Sequence, residues 1–544
     1  MLPYSLAGNG RQAVKAIARL CLFACIAVAT GGCARRPAPR PSWHPHPAKR
    51  PSAKAVAQAR PILEEVIPHA RTLFGSVEDW PALSSLIFAL ACVDPQRALK
   101  LAYQIGGDGT RGPQGTLGDD LVENITRALG EINPDQGLEI VRGIEERESA
   151  VVRDFTEAYD LTGLPSGPAL KGLAEGVAAK DPQWAFQAAV KAERRYPFHD
   201  ALEGIIRAIG PAHPDLALKA ALSVHDPETT RETCLLAVAE TAASRPSGLP
   251  VALKAARSMA PKWRWRAPAL AAVADAMWKT DPRRGRDVAR EALEAVPRIN
   301  EDEDPEYNGL YRAEALCDIG VVLAKRDPPW ATRVMDRALH SAEHIPDRWQ
   351  HDVALQRVVR ALAKDAPDRA LRVARRIRDA GDRAEAFADV AAASVKARPE
   401  LARRVADEAF LRAAALPDNG RILGFGSFGT VARTIAQADP QMALAAARRV
   451  KEAQAHDVAL QAAALVLAKT QPERALKIAQ TITNEDQRAE VLENVAVTLA
   501  KSDDVDRGLR LARSIKEPRF RARALSRIVR VILAPQDKAR WDAW

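Results

Sequence analysis

The chain has 544 residues and a formal net charge of +10. All of that excess is N-terminal: residues 1–60 carry ten Arg or Lys and no Asp or Glu, whereas residues 61–544 carry 69 of each sign. A charge-neutral body gives no net basic charge to displace counterions from nucleic acid, which leaves only a local patch to do so, and six cysteines without a Cys-x-x-Cys pair give neither a disulfide framework nor a metal ribbon.

Arg11, Lys15 and Arg19 precede an apolar run of 11 residues, Leu20 to Thr30. That is signal-peptide length, short of the ~20 residues a membrane-spanning helix needs. Thr30-Gly31-Gly32-Cys33 follows at once. Small residues before a cysteine at this place resemble the cleavage site of bacterial lipoproteins. The resemblance implies that residues 1–32 are removed, that Cys33 carries the lipid (palmitate among its acyl chains), and that the protein is membrane-anchored in the cell envelope, facing the periplasm or the exterior. An ordinary secretory signal cleaved nearby is the alternative. Residues 33–60 are proline-rich and carry seven Arg or Lys. They read as an extended spacer, either lying against anionic headgroups beside the anchor or simply clearing the surface.

The body is a repeat array. Leu467-Ala-Lys-Thr-Gln-Pro472-Glu-Arg-Ala-Leu476 gives the phrase most clearly, and it recurs around Pro95, Pro134, Pro182, Pro214, Pro246, Pro282, Pro328, Pro367, Pro399 and Pro440, and more weakly at Asp504. Successive gaps are 39, 48, 32, 32, 36, 46, 39, 32, 41, 32 and 32 residues, a base period of 32 with insertions. In the stretch 488–500, Ala489, Leu492, Val495, Ala496 and Leu499 form one apolar helical stripe. Asp94, Asp181, Asp281, Asp327 and Asp439 stand directly before a marker proline. Asp caps a helix N-terminus and Pro fits its first turn, where the missing N–H has no partner to lose. Each unit is therefore expected to be two antiparallel helices. About twelve units make an all-α solenoid, curved or superhelical, over residues 80–518. Residues 61–79 and 519–544 are expected to cap its two ends.

This pattern resembles the broad class of α-solenoid repeats, HEAT-like and tetratricopeptide-like, over nearly all of residues 80–530. The Leu323-Ala-Lys-Arg-Asp327-Pro328 turn is similar to that of HEAT repeats. The resemblance implies the fold and an interaction surface. It carries over no binding residues.

Three motifs invite chemistry. Gly424-Phe-Gly426-Ser-Phe-Gly429-Thr-Val431 matches a kinase glycine-rich loop letter for letter, but no catalytic-loop or Asp-Phe-Gly motif accompanies it. His340-Ser-Ala-Glu343-His344 matches the HxxEH pattern of a zinc-peptidase class, whose histidines at i and i+4 share a metal. It ends a second helix in a chain without the strands that class uses. The acidic insertion around 300–306 lacks the glycine and the closing Glu of an EF-hand. No catalytic residue, metal site or cofactor is therefore expected.

Two sets of residues are candidates for binding. Arg266, Arg312, His351, Arg383, His456 and Arg488 each stand 16 residues before a marker position. A cation at a helix start opposes the helix dipole, so each needs a partner: a neighbouring carboxylate or carbonyl, or an external anion. Trp263, Trp265 and Trp349 lie in equivalent turns beside arginines, the residue types of binding hot spots, and packing beneath the next helix is the alternative. The leading expectation is a non-enzymatic scaffold that binds a protein or extended peptide. A binder of anionic glycan or cell-wall polymer along the Arg/His row comes second, and a zinc hydrolase at His340 and His344 is the remote third.

Overall fold

The structure is a computed structural model, and it describes residues 51–544 except 70–79, 107–110, 113–114, 155–165, 179, 188–199, 225–228, 300–306, 417–426, 451, 503 and 534–544. Cys33 with its leader, most of the spacer, the acidic insertion, the glycines 424–426 and the tail tryptophans 541 and 544 lie outside the described residues. What is described is helical, apart from a two-residue antiparallel pairing of Arg111–Gly112 with Gly115–Thr116.

The units are helix pairs, as the repeat requires. Their first helices are Trp80–Val93, Leu117–Ile132, Ser166–Val177, Asp200–Ile209, Thr229–Ala242, Arg266–Trp278, Asn308–Ala324, Arg348–Ala363, Ala380–Ser394, Ser427–Ala438, Ala453–Ala468, Glu485–Lys501 and Pro518–Leu533. A second helix starts at or just after each marker, as in Pro282–Ala295, Pro367–Ala374 and Pro472–Ala479. All five Asp-Pro steps behave as capping chemistry demands. Asp94, Asp181, Asp281, Asp327 and Asp439 each accept a backbone N–H of the helix they precede, from Arg97, Trp184, Arg283 and Arg284, Trp330, and Gln441 respectively. Where the residue before proline is His213, Ala366 or Gln471, no side-chain cap forms.

First helices pack side by side with one another, and each second helix packs on its own first helix and on the next. Contact between successive second helices is sparser. In a curved two-layer array the layer whose members lie closest is the inner one, so the first helices form the inner wall. Small residues permit that closeness. A Cβ added at Gly172 would come within 2.1 Å of the Glu123 carbonyl on the preceding inner helix, an approach that only glycine allows.

The array closes on itself. Pro518–Leu533 packs against Trp80–Val93 as it packs against Glu485–Lys501. The spacer expected to reach residue 60 gives way at Ser52, which caps a helix over Ala53–Val66 by accepting from Ala55 N at 3.1 Å. That helix packs on Pro518–Leu533 and touches Trp80–Val93, which is the place of a second helix in a thirteenth unit. The segments expected to cap opposite ends of an open solenoid thus meet, and together they complete a ring. Leu63, Val66, Leu86, Ile87, Leu90, Leu525, Ile528 and Val529 are buried there. Neither end of the array has the polar outer face that a terminal solenoid repeat needs for solubility. Thirteen inner helices spaced ~9 Å apart set their axes on a circle about 37 Å across, which leaves an opening of roughly 27 Å after one helix width of ~10 Å is removed. No helix among the described residues is long and apolar enough to cross a membrane.

Candidate functional site: the inner wall of the ring

The inner helices bury one side against the second layer, so their remaining polar residues face the opening. Those residues pair from helix to helix around the wall. Arg127 reaches Glu175 at 2.7 Å and also pairs with Glu123. Arg207 reaches Glu240 at 2.7 Å, Arg357 reaches Asp318 at 2.9 Å, and Arg360 reaches Asp389 at 2.7 Å. Gln461 donates to Glu490 at 2.7 Å. Glu493, fully buried, accepts from Arg523 at 2.5 Å and Arg527 at 2.8 Å. Burial pushes the carboxyls of Glu175, Asp318, Asp389 and Glu490 above their ordinary range, and Arg127, Arg357, Arg360 and Arg523 respectively hold them back towards it. The wall is therefore a mesh of cross-helix pairs, and among the described residues of its helices Val321, exposed by 39%, and Trp349 are the large apolar side chains open to water.

The arginine row has a different role. Arg266 donates to the Met259 carbonyl at 2.8 Å, Arg383 to Ile377 at 2.8 Å and Arg488 to Ile482 at 3.1 Å. Arg312 donates to the Pro297 carbonyl at 2.6 Å and to Ile299 at 3.5 Å. Arg521, which the marker spacing did not single out, makes the same bond to Ile515 at 3.5 Å. Met259, Ile299, Ile377, Ile482 and Ile515 are each 1% exposed. These side chains are buried at the turns between units, and the arginines supply donors to the backbone carbonyls of those turns. That carbonyl offsets the unfavourable position of a cation at a helix start.

The N–H groups of the same turns are taken by buried acids that sequence reasoning missed. Asp352 accepts from Arg378 N and Asp379 N at 3.1 and 2.8 Å. Asp457 accepts from Thr483 N and Asn484 N at 3.0 and 2.8 Å, and Glu232 accepts from Ala260 N at 3.2 Å. His351 is buried, with Nδ1 2.9 Å from the Asp352 carboxylate. His456 is half-buried beside Asp457. The dipeptide His-Asp at both 351–352 and 456–457 was the available signal. The row is thus a set of turn clamps, and its guanidinium groups are not free donors along a surface.

The tryptophans are not brought together. Trp263 and Trp265 are half-buried, and Arg264 stacks over the rings of Trp265 and Tyr311, 4.7 Å from each centroid. Trp349 is 60% exposed. His340 and His344 are exposed with ring centroids 4.1 Å apart. Nδ1 of His344 lies 2.7 Å from the His340 carbonyl, to which it donates, and Glu343 is paired with Arg376. Among the described residues no group of three His, Cys, Asp or Glu stands ready to hold a metal ion. Burial raises the Cys317 thiol well above its ordinary range, which leaves it unreactive as a nucleophile.

No protein-family model matches the chain, and no curated protein matches it. Among solved structures, Ton1535 from Thermococcus onnurineus NA1 is similar at 17% identity over 58% of this chain and 94% of that one, with a TM-score of 0.23. A circular tandem repeat protein with novel repeat topology and enhanced subunit contact surfaces is similar at 15% identity over 90% of this chain and 98% of that one, with a TM-score of 0.19.

Proposed function

We propose that the chain is a non-enzymatic scaffold, lipid-anchored through Cys33 in the cell envelope, that holds a protein or an extended peptide against the inner wall of its ring. The observation that carries this reading is the wall itself. Thirteen inner helices run parallel around one opening, and successive units present polar pairs at repeating positions. A repeating surface of this kind favours a partner that makes many similar contacts in series. The polar lining suits a partner with its own charged or amide groups, while Val321 offers an apolar foothold. The anchoring rests on the leader, the cysteine and the basic spacer of the sequence, and the non-enzymatic reading on the lack of a motif in its catalytic context.

A photo-crosslinking residue at Val321 on the wall, with another at Leu411 on the outer layer as control, tests the reading in living cells. Leu411 is 60% exposed on the helix Pro399–Ala414. A discrete protein captured from Val321 and not from Leu411 is expected, and its loss in a Cys33→Ala variant would support the anchor. Capture only from Leu411, or equal capture from both, would overturn the inner wall as the binding surface.

A further inference from the structure

We infer that the junction of Pro518–Leu533 with Trp80–Val93 is the gate of the ring, and that the helix Ala53–Val66 is the strap that holds it shut. Connectivity is the first argument. Every other pair of adjacent inner helices is joined through the second helix that lies between them in sequence. Pro518–Leu533 and Trp80–Val93 are the two ends of the array, joined to each other by no chain segment, so they can part without any unit unfolding. Local opening follows the lowest-cost break in a structure, and this break costs only side-chain contacts.

The strap's contacts are the second argument. Its buried residues are Ala59, Ile62, Leu63 and Val66. On one side Glu65 accepts from Arg513 at 3.2 and 3.0 Å. On the other, Glu64 is paired with Arg97, one contact of that pair being 2.9 Å. The same type of bridge joins neighbouring second helices elsewhere, as in Arg257 with Glu291 at 2.8 Å and Arg507 with Glu473 at 2.6 Å. The strap thus uses the ring's own outer-layer contacts, but it enters the unit it completes from the opposite end of the chain. Pro61 lies inside this helix, where it removes one backbone hydrogen bond and weakens the strap against release. Across the junction itself, Arg530 of Pro518–Leu533 lies over the Phe88 ring of Trp80–Val93 at 4.5 Å. An opening of roughly 27 Å closed by a releasable strap admits a partner sideways, with no need for a free end to thread.

Hydrogen exchange of the full chain, read by mass spectrometry, tests the gate without any partner. Ala53–Val66, Trp80–Val93 and Pro518–Leu533 should exchange at least tenfold faster than Ala380–Ser394. Leu63→Asp should strip protection from all three, leave Ala380–Ser394 unchanged, and enlarge the radius of gyration. The milder pair Glu64→Lys and Glu65→Lys should move exchange in the same direction without a change in helix content. Seam helices as slow as the rest, or protection lost equally in every unit on releasing the strap, would overturn the gate.

Discussion

Arg513 donates to the carboxylate of Glu65 at 3.0 Å across 448 positions of sequence, and by that contact the last second helix of the array meets the helix Ala53–Val66. The bond marks the closure but does not supply most of its energy. Both side chains are open to water, at 49% and 40% exposure, and pairs of that kind contribute about 0–1 kcal/mol. Leu63, at 2% exposure on the same helix, is a core residue whose truncation costs about 2–5 kcal/mol. Glu65→Ala should therefore shift urea unfolding of the seam helices slightly, and Leu63→Ala several times more. A larger effect from Glu65→Ala would make the closure electrostatic.

Glu493 ties the last inner helix to the one before it. Its carboxylate is fully buried and holds Arg523 and Arg527 of the last inner helix. Removing one partner of a buried charged set leaves the others uncompensated, at a cost of about 3–5 kcal/mol. Glu493→Ala should lower thermal stability markedly. Glu493→Gln, which keeps an acceptor oxygen, should cost less. Equal losses would mean that shape alone is at stake, and differential scanning calorimetry of the two variants separates the cases.

Asp352 gives the ring an acid limit. Burial raises its pKa, but the His351 hydrogen bond and the N–H groups of Asp379 and Arg378 outweigh that, and the net shift is downward. A carboxyl depressed in the folded state stabilises fully above its unfolded value of ~3.9 and loses that contribution as pH falls through the folded value. Asp352→Asn should thus be less stable than wild type at pH 7, by about 1–3 kcal/mol for the weakened turn bonds. The two proteins should converge towards pH 2. A constant difference over pH 2–7 would show that the charge is irrelevant.

The helix pairs, the Asp-Pro caps and the period were legible because each depends on residues within one unit. The clamp role of Arg266, Arg312, Arg383 and Arg488 was legible as one of two alternatives, since a cation at a helix start needs a partner. The choice between them required the turn geometry that brings the carbonyls of Met259, Ile299, Ile377 and Ile482 back to the guanidinium, which the residue types alone do not reveal. Ring closure was not read, because it is a match between surfaces some 450 residues apart. One local trace existed, out of structural register: Ala59-Arg60-Pro61 repeats the letters of Ala397-Arg398-Pro399, and Pro61 stands 34 residues before Pro95, but Pro61 lies inside its helix whereas Pro399 opens one. The basic, proline-rich stretch around it concealed a unit helix inside an apparent spacer.

Glu314 offers a test of the wall itself. It is half-buried on an inner helix. Burial raises its carboxyl, Arg357 draws it back, and Asp318 raises it further, so the net shift is upward. A carboxyl raised in the folded state opposes folding once it ionises. The penalty is absent well below the ordinary value of ~4.3, appears as pH climbs from there, and is complete above the folded value. Glu314→Gln should consequently raise the melting temperature at pH 8, by about 1–2 °C given the length of the chain, and leave it unchanged near pH 3. A lower melting temperature at pH 8 would show that Arg357 draws more from Glu314 than burial costs, and that the wall is tuned for stability at this position. The expected rise means that a half-buried carboxylate is kept at this position at the expense of stability.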